Sequence, residues 1–113
     1  AERTGLSPYM LSLHRQDPGH ILPWHFDTYS LFKKTHSTVK AKTSRYLVFL
    51  ENWHWGHLLQ IGENMITHWK TGDVYTWESR VFHLSANAGI KPKWTLTITG
   101  SETPTCLHLK TNA

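Results

Sequence analysis

Short runs of alternating apolar and polar residues, rather than long helical repeats, dominate the chain. The runs are rich in Val, Ile, Thr, Tyr, Phe and Trp, and clusters of Gly, Asn, Asp, Pro or Lys separate them. This pattern is typical of β-strands. In residues 95–99, threonines alternate with Leu96 and Ile98, which places the two apolar side chains on one face of a strand. The pattern predicts eight strands, near residues 9–14, 20–27, 45–51, 56–61, 65–69, 74–77, 81–87 and 94–100.

Turn residues support this division. Asp17-Pro18-Gly19 is typical of a turn between the first two strands. Pro92 cannot donate a hydrogen bond to a strand ladder, so it separates the last two strands. Eight short, closely spaced strands favour a sandwich or barrel. The length of 113 residues suits one domain, residues 1–113.

Residues 28–44 form the longest predicted connection and are rich in Ser, Thr and Lys. Loops of this length within a compact domain are usually disordered or functional. The segment follows His25 and Asp27, candidate metal ligands discussed below. We therefore expect it to be an irregular loop that forms a lid over an active site.

Cysteine usage and hydropathy exclude several classes of protein. Cys106 is the single cysteine, so neither an intrachain disulfide nor a cysteine-based zinc site can form. A chain without disulfides suits a reducing compartment, and we expect a cytoplasmic protein. No apolar run approaches the roughly 20 residues that a membrane span requires.

The net charge of +4 comes largely from one basic stretch. Its members are Lys33, Lys34, Lys40, Lys42 and Arg45. A solvated basic loop is one interpretation of this stretch. The functional interpretation is attraction of an anionic substrate or of nucleic acid.

A candidate metal site begins at His25-Phe26-Asp27, at the end of the second predicted strand. Residues i and i+2 of a strand point to the same face, so His25 and Asp27 can both face one point. With a distant second histidine they would form the two-histidine, one-carboxylate facial triad of non-haem Fe(II) proteins. His83 on the seventh predicted strand is the favoured third ligand. Spacing alone leaves three other candidates open, namely His54, His57 and His68.

The wider arrangement of motifs resembles a known family. The chain carries, in order, His25-Phe26-Asp27, Gly72-Asp73, His83, Asn87-Ala88-Gly89 and Lys93-Trp94-Thr95. Over roughly residues 20–101 this order resembles the Fe(II)/2-oxoglutarate-dependent oxygenases of the prolyl-hydroxylase-like type. Those proteins place a basic residue about ten positions after the distal histidine, with Ser or Thr two positions later.

The resemblance implies an all-β double-stranded β-helix, also called a jelly roll or cupin-like barrel. It implies that His25, Asp27 and His83 are the catalytic metal ligands. The cofactors would be Fe(II), 2-oxoglutarate as cosubstrate, and O2, with release of succinate and CO2. Four further residues are candidates for cofactor binding: Lys93 and Thr95 at the distal carboxylate, Asn87 beside His83 or the cosubstrate, and Tyr9 bordering the iron. A turn-capping role is the alternative for Asn87. Arg45 and Lys42 compete with Lys93 as the carboxylate partner.

Two departures and two alternatives accompany this interpretation. Arginine is commoner than lysine at the position of Lys93, and many relatives carry additional N-terminal helices. One alternative is a cupin-like metalloprotein without 2-oxoglutarate, such as an isomerase, another dioxygenase or a sensor. The other is a non-catalytic module whose basic loop binds nucleic acid or an acidic partner. The expected substrate is a small molecule or a peptidyl group, and an exposed sheet edge favours a homodimer.

Overall fold

The computed structural model describes residues 5–37 and 41–103. Over these residues the chain forms eight β-strands and one short helix. In chain order the elements are β1 (Leu6–Gln16), β2 (Ile21–His25), α1 (Ser30–Thr35), β3 (Thr43–Phe49), β4 (His57–Ile61), β5 (Asn64–Ile66), β6 (Val74–Thr76), β7 (His83–Asn87) and β8 (Lys93–Glu102). Each strand overlaps a predicted one. β1 and β8 extend beyond their predicted limits, whereas β2, β5 and β6 are shorter than predicted.

The strands form two four-stranded antiparallel sheets. The first has the order β1-β8-β3-β6 and the second the order β2-β7-β4-β5. Non-consecutive neighbours in both sheets show that the chain crosses repeatedly from one sheet to the other, as in a jelly roll. The predicted all-β double-stranded β-helix is confirmed.

The hydrophobic core lies between the two sheets. Leu47 and Phe49 of β3 meet Leu59 and Ile61 of β4, and Trp69 completes the cluster. The rings of Phe49 and Trp69 stack with their centroids 3.8 Å apart and an interplanar angle of 13°. Leu47 and Leu59 also line the cavity described below, so the core forms part of its wall.

The inner face of β8 is polar, which positions chemistry inside the barrel. Lys93, Thr95 and Thr97 line an internal cavity. The alternating pattern that predicted this strand therefore directs its threonines, and not its leucine and isoleucine, toward that cavity.

The segment between β2 and β3 differs from the expected irregular loop. It contains α1, which begins after Tyr29 in the left-handed conformation (φ 56°) and is closed by a hydrogen bond from the His36 N–H to the Phe32 carbonyl. Tyr29 and Phe32 are buried, so tertiary packing stabilises a helix that is too short to form alone. No helix in residues 5–37 or 41–103 has the length and apolar character needed to cross a bilayer.

Candidate metal centre

Strand pairing brings the two candidate histidine ligands together. β2 and β7 are antiparallel neighbours, and His25 lies opposite His83 in their register. The two imidazole rings have their centroids 4.2 Å apart. Asp27 follows β2 by two residues and contacts both rings: its Oδ1 lies 3.8 Å from Nε2 of His25 and 3.5 Å from Nε2 of His83.

Backbone carbonyls orient both imidazoles in the same way. Nδ1 of His25 hydrogen-bonds the carbonyl of Pro23 at 2.7 Å, and Nδ1 of His83 bonds the carbonyl of Val81 at 3.1 Å. Each contact requires a proton on Nδ1 and turns Nε2 of the ring toward Asp27, where a metal ion would bind. This is the usual second contact of a metal-binding histidine, because it fixes the tautomer and the ring orientation.

Asp27 is charged and incompletely satisfied. Burial opposes its ionisation, but the hydrogen bond and charge of His83, with the charges of Arg45 and His25, lower the pKa of its carboxyl group below the usual value. Its Oδ2 is buried and has no hydrogen-bond partner among the described residues. A buried carboxylate oxygen without a partner is costly unless another group binds it.

The three residues fit a divalent transition metal. Their ligand atoms lie within 4.8 Å of one another, and they form the one such group of three or more His, Cys, Asp or Glu in the described part of the chain. Two imidazoles and one carboxylate are the donor set of the facial triad that suits non-haem Fe(II). The partnerless Oδ2 of Asp27 and the two directed Nε2 atoms are the structural observations that support this fit.

The alternative histidines make other contacts. His57 is buried and bonds the carbonyl of Lys91 through Nε2 at 2.8 Å. His68 stacks on Trp53 with centroids 4.0 Å apart, and Nε2 of His54 lies 3.9 Å from a carboxylate oxygen of Glu51. The structure thus groups His83, and none of these three, with His25 and Asp27.

A cavity of about 400 Å³ opens beside the triad. All three triad residues line it, together with Lys93 and Thr95 at the start of β8. The structure therefore places the predicted metal ligands and two predicted cosubstrate contacts around one space.

Lys93 is a buried cation in this cavity, with 5% of its surface exposed. Its Nζ donates to the carbonyl of Leu58 at 3.2 Å and to Oε1 of Gln16 at 3.4 Å, and it lies 5.6 Å from the ring centroid of Trp69. Burial lowers the pKa of Lys93 to about 8. No carboxylate of the described residues pairs with Nζ, so the ammonium has neutral partners alone.

Arg45 also reaches the triad, whereas Lys42 does not. Nη1 of Arg45 lies 3.3 Å from Oδ1 of Asp27, and its Nε donates to Oγ1 of Thr99 at 2.7 Å. Its guanidinium carbon lies 5.1 Å from the ring centroid of Tyr29. Lys42 instead pairs with Glu78 at 2.9 Å and lies outside the lining of this cavity.

Two residues predicted to bind the cofactor lie outside this cavity lining. Tyr9 is 44% exposed on β1. Asn87 is buried, but its side chain serves a turn: Nδ2 donates to the carbonyls of Gln16 and Lys91 at 2.8 and 2.7 Å, and Oδ1 accepts the Gly89 N–H at 3.0 Å. These bonds use both N–H groups of the amide, and two of the three lie within the turn after β7, so they support a turn-capping role for Asn87.

Three further residues in the cavity were not predicted as site residues. Gln16 contacts Lys93, and Trp77 packs against the His83 ring with centroids 4.7 Å apart. Nε2 of His14 lies 3.1 Å from Oγ1 of Thr97. Burial, with the nearby charge of Arg45, lowers the pKa of His14, which favours a neutral imidazole. No sequence motif marks these residues: His14 and Gln16 reach the cavity through the register of β1, and Trp77 directly follows β6.

Comparison with known proteins defines the class of fold. No family profile matches the sequence, and no curated protein sequence matches it either. Solved structures do match: the chain is similar to a cupin protein from Bacteroides fragilis, with a TM-score of 0.60 and 14% identity over 88% of this chain and 70% of that one. The fold is therefore the cupin-type double-stranded β-helix.

Two other structures share this fold. A protein with a double-stranded β-helix domain from Klebsiella pneumoniae has a TM-score of 0.55 and 14% identity, over 84% of this chain and 69% of that one. A sugar phosphate isomerase from a cupin superfamily, from Silicibacter pomeroyi, has a TM-score of 0.55 and 17% identity, over 91% of this chain and 56% of that one. At these identities the similarity defines the fold, and function rests on the site.

Proposed function

We propose that this chain is an Fe(II)- and 2-oxoglutarate-dependent oxygenase of the hydroxylase type. His25, Asp27 and His83 would hold the metal through the two Nε2 atoms and the carboxylate. When bound, the iron and 2-oxoglutarate would supply the oxidising chemistry, which consumes O2, releases succinate and CO2 and oxidises a substrate.

The buried ammonium of Lys93 is the observation that carries the proposal. A buried charge without a counterion is unfavourable, and Lys93 has none among the described residues. It lines the cavity that the triad also lines. A small dianion held by the metal and, through a carboxylate, by Lys93 would satisfy both groups.

The remaining cavity residues have positioning roles. Thr95 is buried on the same face of β8 as Lys93, and its hydroxyl can donate to the same carboxylate. The Pro23 and Val81 carbonyls hold the two imidazoles in their ligating orientation. Trp77 and Leu59 provide apolar wall, which excludes water and strengthens the interaction between Lys93 and an anion.

The test is an anaerobic titration of the Fe(II)-loaded protein with 2-oxoglutarate, followed by an assay for succinate in air. We expect a weak visible charge-transfer band on titration and succinate formation on exposure to O2. Lys93→Ala should weaken 2-oxoglutarate binding by about 10- to 100-fold, the effect of removing a charge-assisted contact. Lys91→Ala is the matched control, because Lys91 is exposed two positions earlier. Equal affinity in the two variants contradicts the assignment of Lys93.

A metal-dependent isomerase is the second candidate, favoured by the similarity to the Silicibacter pomeroyi sugar phosphate isomerase. A phosphate would also satisfy the ammonium of Lys93. Iron binding without any spectroscopic response to 2-oxoglutarate, and without succinate formation, would overturn the oxygenase proposal in favour of a cupin metalloprotein of this second kind.

A further inference from the structure

A second cavity, of about 440 Å³, adjoins the first on the side of α1. The two cavities share four lining residues, namely His14, Asp27, Arg45 and Thr97. β1 and α1 provide much of the remaining wall. The candidate metal ligand Asp27 and the guanidinium of Arg45 therefore stand at the boundary between two spaces of similar size.

We propose that the second cavity binds the primary substrate, and that this substrate is a small organic anion with an apolar body whose charged group pairs with Arg45. The inference rests on the proposed function, because assigning 2-oxoglutarate to the cavity of Lys93 leaves the second cavity for the molecule to be oxidised. It adds a substrate class and a specificity-determining residue to that function.

Arg45 is placed and oriented to bind an anion. Its contacts with Thr99 and Asp27 use two of the five N–H groups of the guanidinium. The ring of Tyr29 lies beside it and limits its movement. The one carboxylate that pairs with Arg45 among the described residues is Asp27, which His25 and His83 also contact. The side chain is 29% exposed, so an entering anion can reach the remaining N–H groups.

The other walls favour an apolar body attached to that anion. Met10 of β1 and Leu31 and Phe32 of α1 line the second cavity, as does Phe26. Phe26 packs edge to face against Phe82 with centroids 5.3 Å apart. Burying apolar surface against these side chains supplies affinity, and Arg45 supplies orientation toward Asp27.

The test measures binding directly, with hexanoate as the probe and hexan-1-ol as its uncharged counterpart. Both are titrated calorimetrically into the protein without added metal, and 2-oxoglutarate is titrated separately into the Fe(II)-loaded protein. We expect hexanoate to bind more tightly than hexan-1-ol, and Arg45→Gln to weaken hexanoate binding by about tenfold or more. Arg45→Lys keeps the charge and should recover part of that affinity.

Two reciprocal variants locate the probe. Of the two cavities, Ser12 lines only the second and Leu22 lines only the first. Both residues are exposed and lie on edge strands. Ser12→Trp should block hexanoate and leave 2-oxoglutarate binding unchanged, whereas Leu22→Trp should do the opposite. Lys93→Gln should leave hexanoate affinity unchanged.

The outcomes separate this inference from the proposed function. Hexanoate binding that depends on Arg45 and Ser12 supports the anion site of the second cavity, whatever the result with 2-oxoglutarate. Absence of hexanoate binding, equal binding of hexan-1-ol, or a loss of hexanoate binding in Lys93→Gln but not in Arg45→Gln would overturn it. Failure of 2-oxoglutarate to bind the wild-type protein overturns the proposed function, and with it the role of the bound anion as the molecule to be oxidised, but not the anion site at Arg45.

Discussion

Nε2 of His83 lies 3.5 Å from Oδ1 of Asp27, although the two residues belong to distant parts of the chain. The contact exists because β7 pairs with β2, directly before Asp27, and because the Val81 carbonyl holds Nδ1 of His83. A metal-binding geometry of this kind depends on sheet register, and small shifts in register would remove it.

Removal of one imidazole should abolish tight metal binding. We expect His25→Ala to lower the affinity for Co(II), used as a stable substitute for Fe(II), by more than about 100-fold, since even residues that merely support metal ligands are worth about 10- to 100-fold. Competition with a chromophoric chelator measures this affinity. His54→Ala is the matched control, because the side chains of His25 and His54 are 34% and 38% exposed. Similar losses in both variants would exclude His25 as a ligand.

The buried Lys93 should make the free energy of unfolding rise with pH in the alkaline range. Burial lowers its pKa from 10.5 to about 8 in the folded protein. Between these values the unfolded chain binds more protons than the folded chain, so the contribution of Lys93 to the free energy of unfolding rises with pH. Relative to Lys93→Met, the wild-type protein should gain about 3 kcal/mol between neutral pH and pH values above the unfolded pKa.

Urea unfolding across this pH range measures the effect. Lys91→Met serves as the control, since it removes an exposed lysine two positions away. A pH profile of Lys93→Met that parallels the wild-type profile would show that Lys93 is not titrating in this range.

Binding of 2-oxoglutarate should show the opposite dependence on pH. The proposed contact requires the charged ammonium, and the pKa of Lys93 in the free protein is about 8. Above this pH, the dissociation constant for 2-oxoglutarate should rise by about tenfold per pH unit. Lys93→Arg keeps its charge throughout and should bind with little pH dependence. Calorimetric titration from about pH 7 to 10 with both proteins tests this, and a pH-independent wild-type affinity would contradict it.

Gly56 should be essential for the close approach of the loop before β4 to the turn after β7. Its φ is 89°, and a Cβ atom there would overlap the backbone of Ala88 and Gly89. Gly19 has a similar φ of 88°, but a Cβ atom there would meet no other atom within 4 Å. Gly19→Ala should therefore cost about 1–2 kcal/mol for the left-handed conformation alone, whereas Gly56→Ala should cost more or prevent folding. Thermal unfolding of the two variants compares them, and equal melting temperatures would contradict the predicted clash.

The strands and two of the three candidate metal ligands follow from local patterns. Alternation in residues 95–99 predicts β8, and the i, i+2 spacing of His25 and Asp27 predicts that they share a face. The choice of His83 over His54, His57 and His68 does not follow from such a pattern. It required the order of motifs along the chain, and the structure shows its basis in the pairing of β2 with β7.

Other features depended on contacts between distant residues. Six residues of α1 carry no strong helical signal, and the helix forms because Phe32 and Tyr29 are buried. Asn87 suits both a turn and a cofactor contact by sequence; in the structure its amide makes two hydrogen bonds within the turn after β7 and a third to the carbonyl of Gln16 on β1. Tyr9 lies on a predicted strand, but its place on β1 keeps it outside the lining of the triad cavity.

The sequence by itself determined where this chain is extended, where it turns, and which adjacent side chains share a face, because these properties depend on neighbouring residues. The tertiary structure alone decided that Arg45 joins Asp27, that Lys93 is buried without a carboxylate partner among the described residues, and that two cavities meet at the triad. The reason is physical: burial and charge pairing depend on which strands become neighbours and in what register, and no short stretch of sequence contains that information.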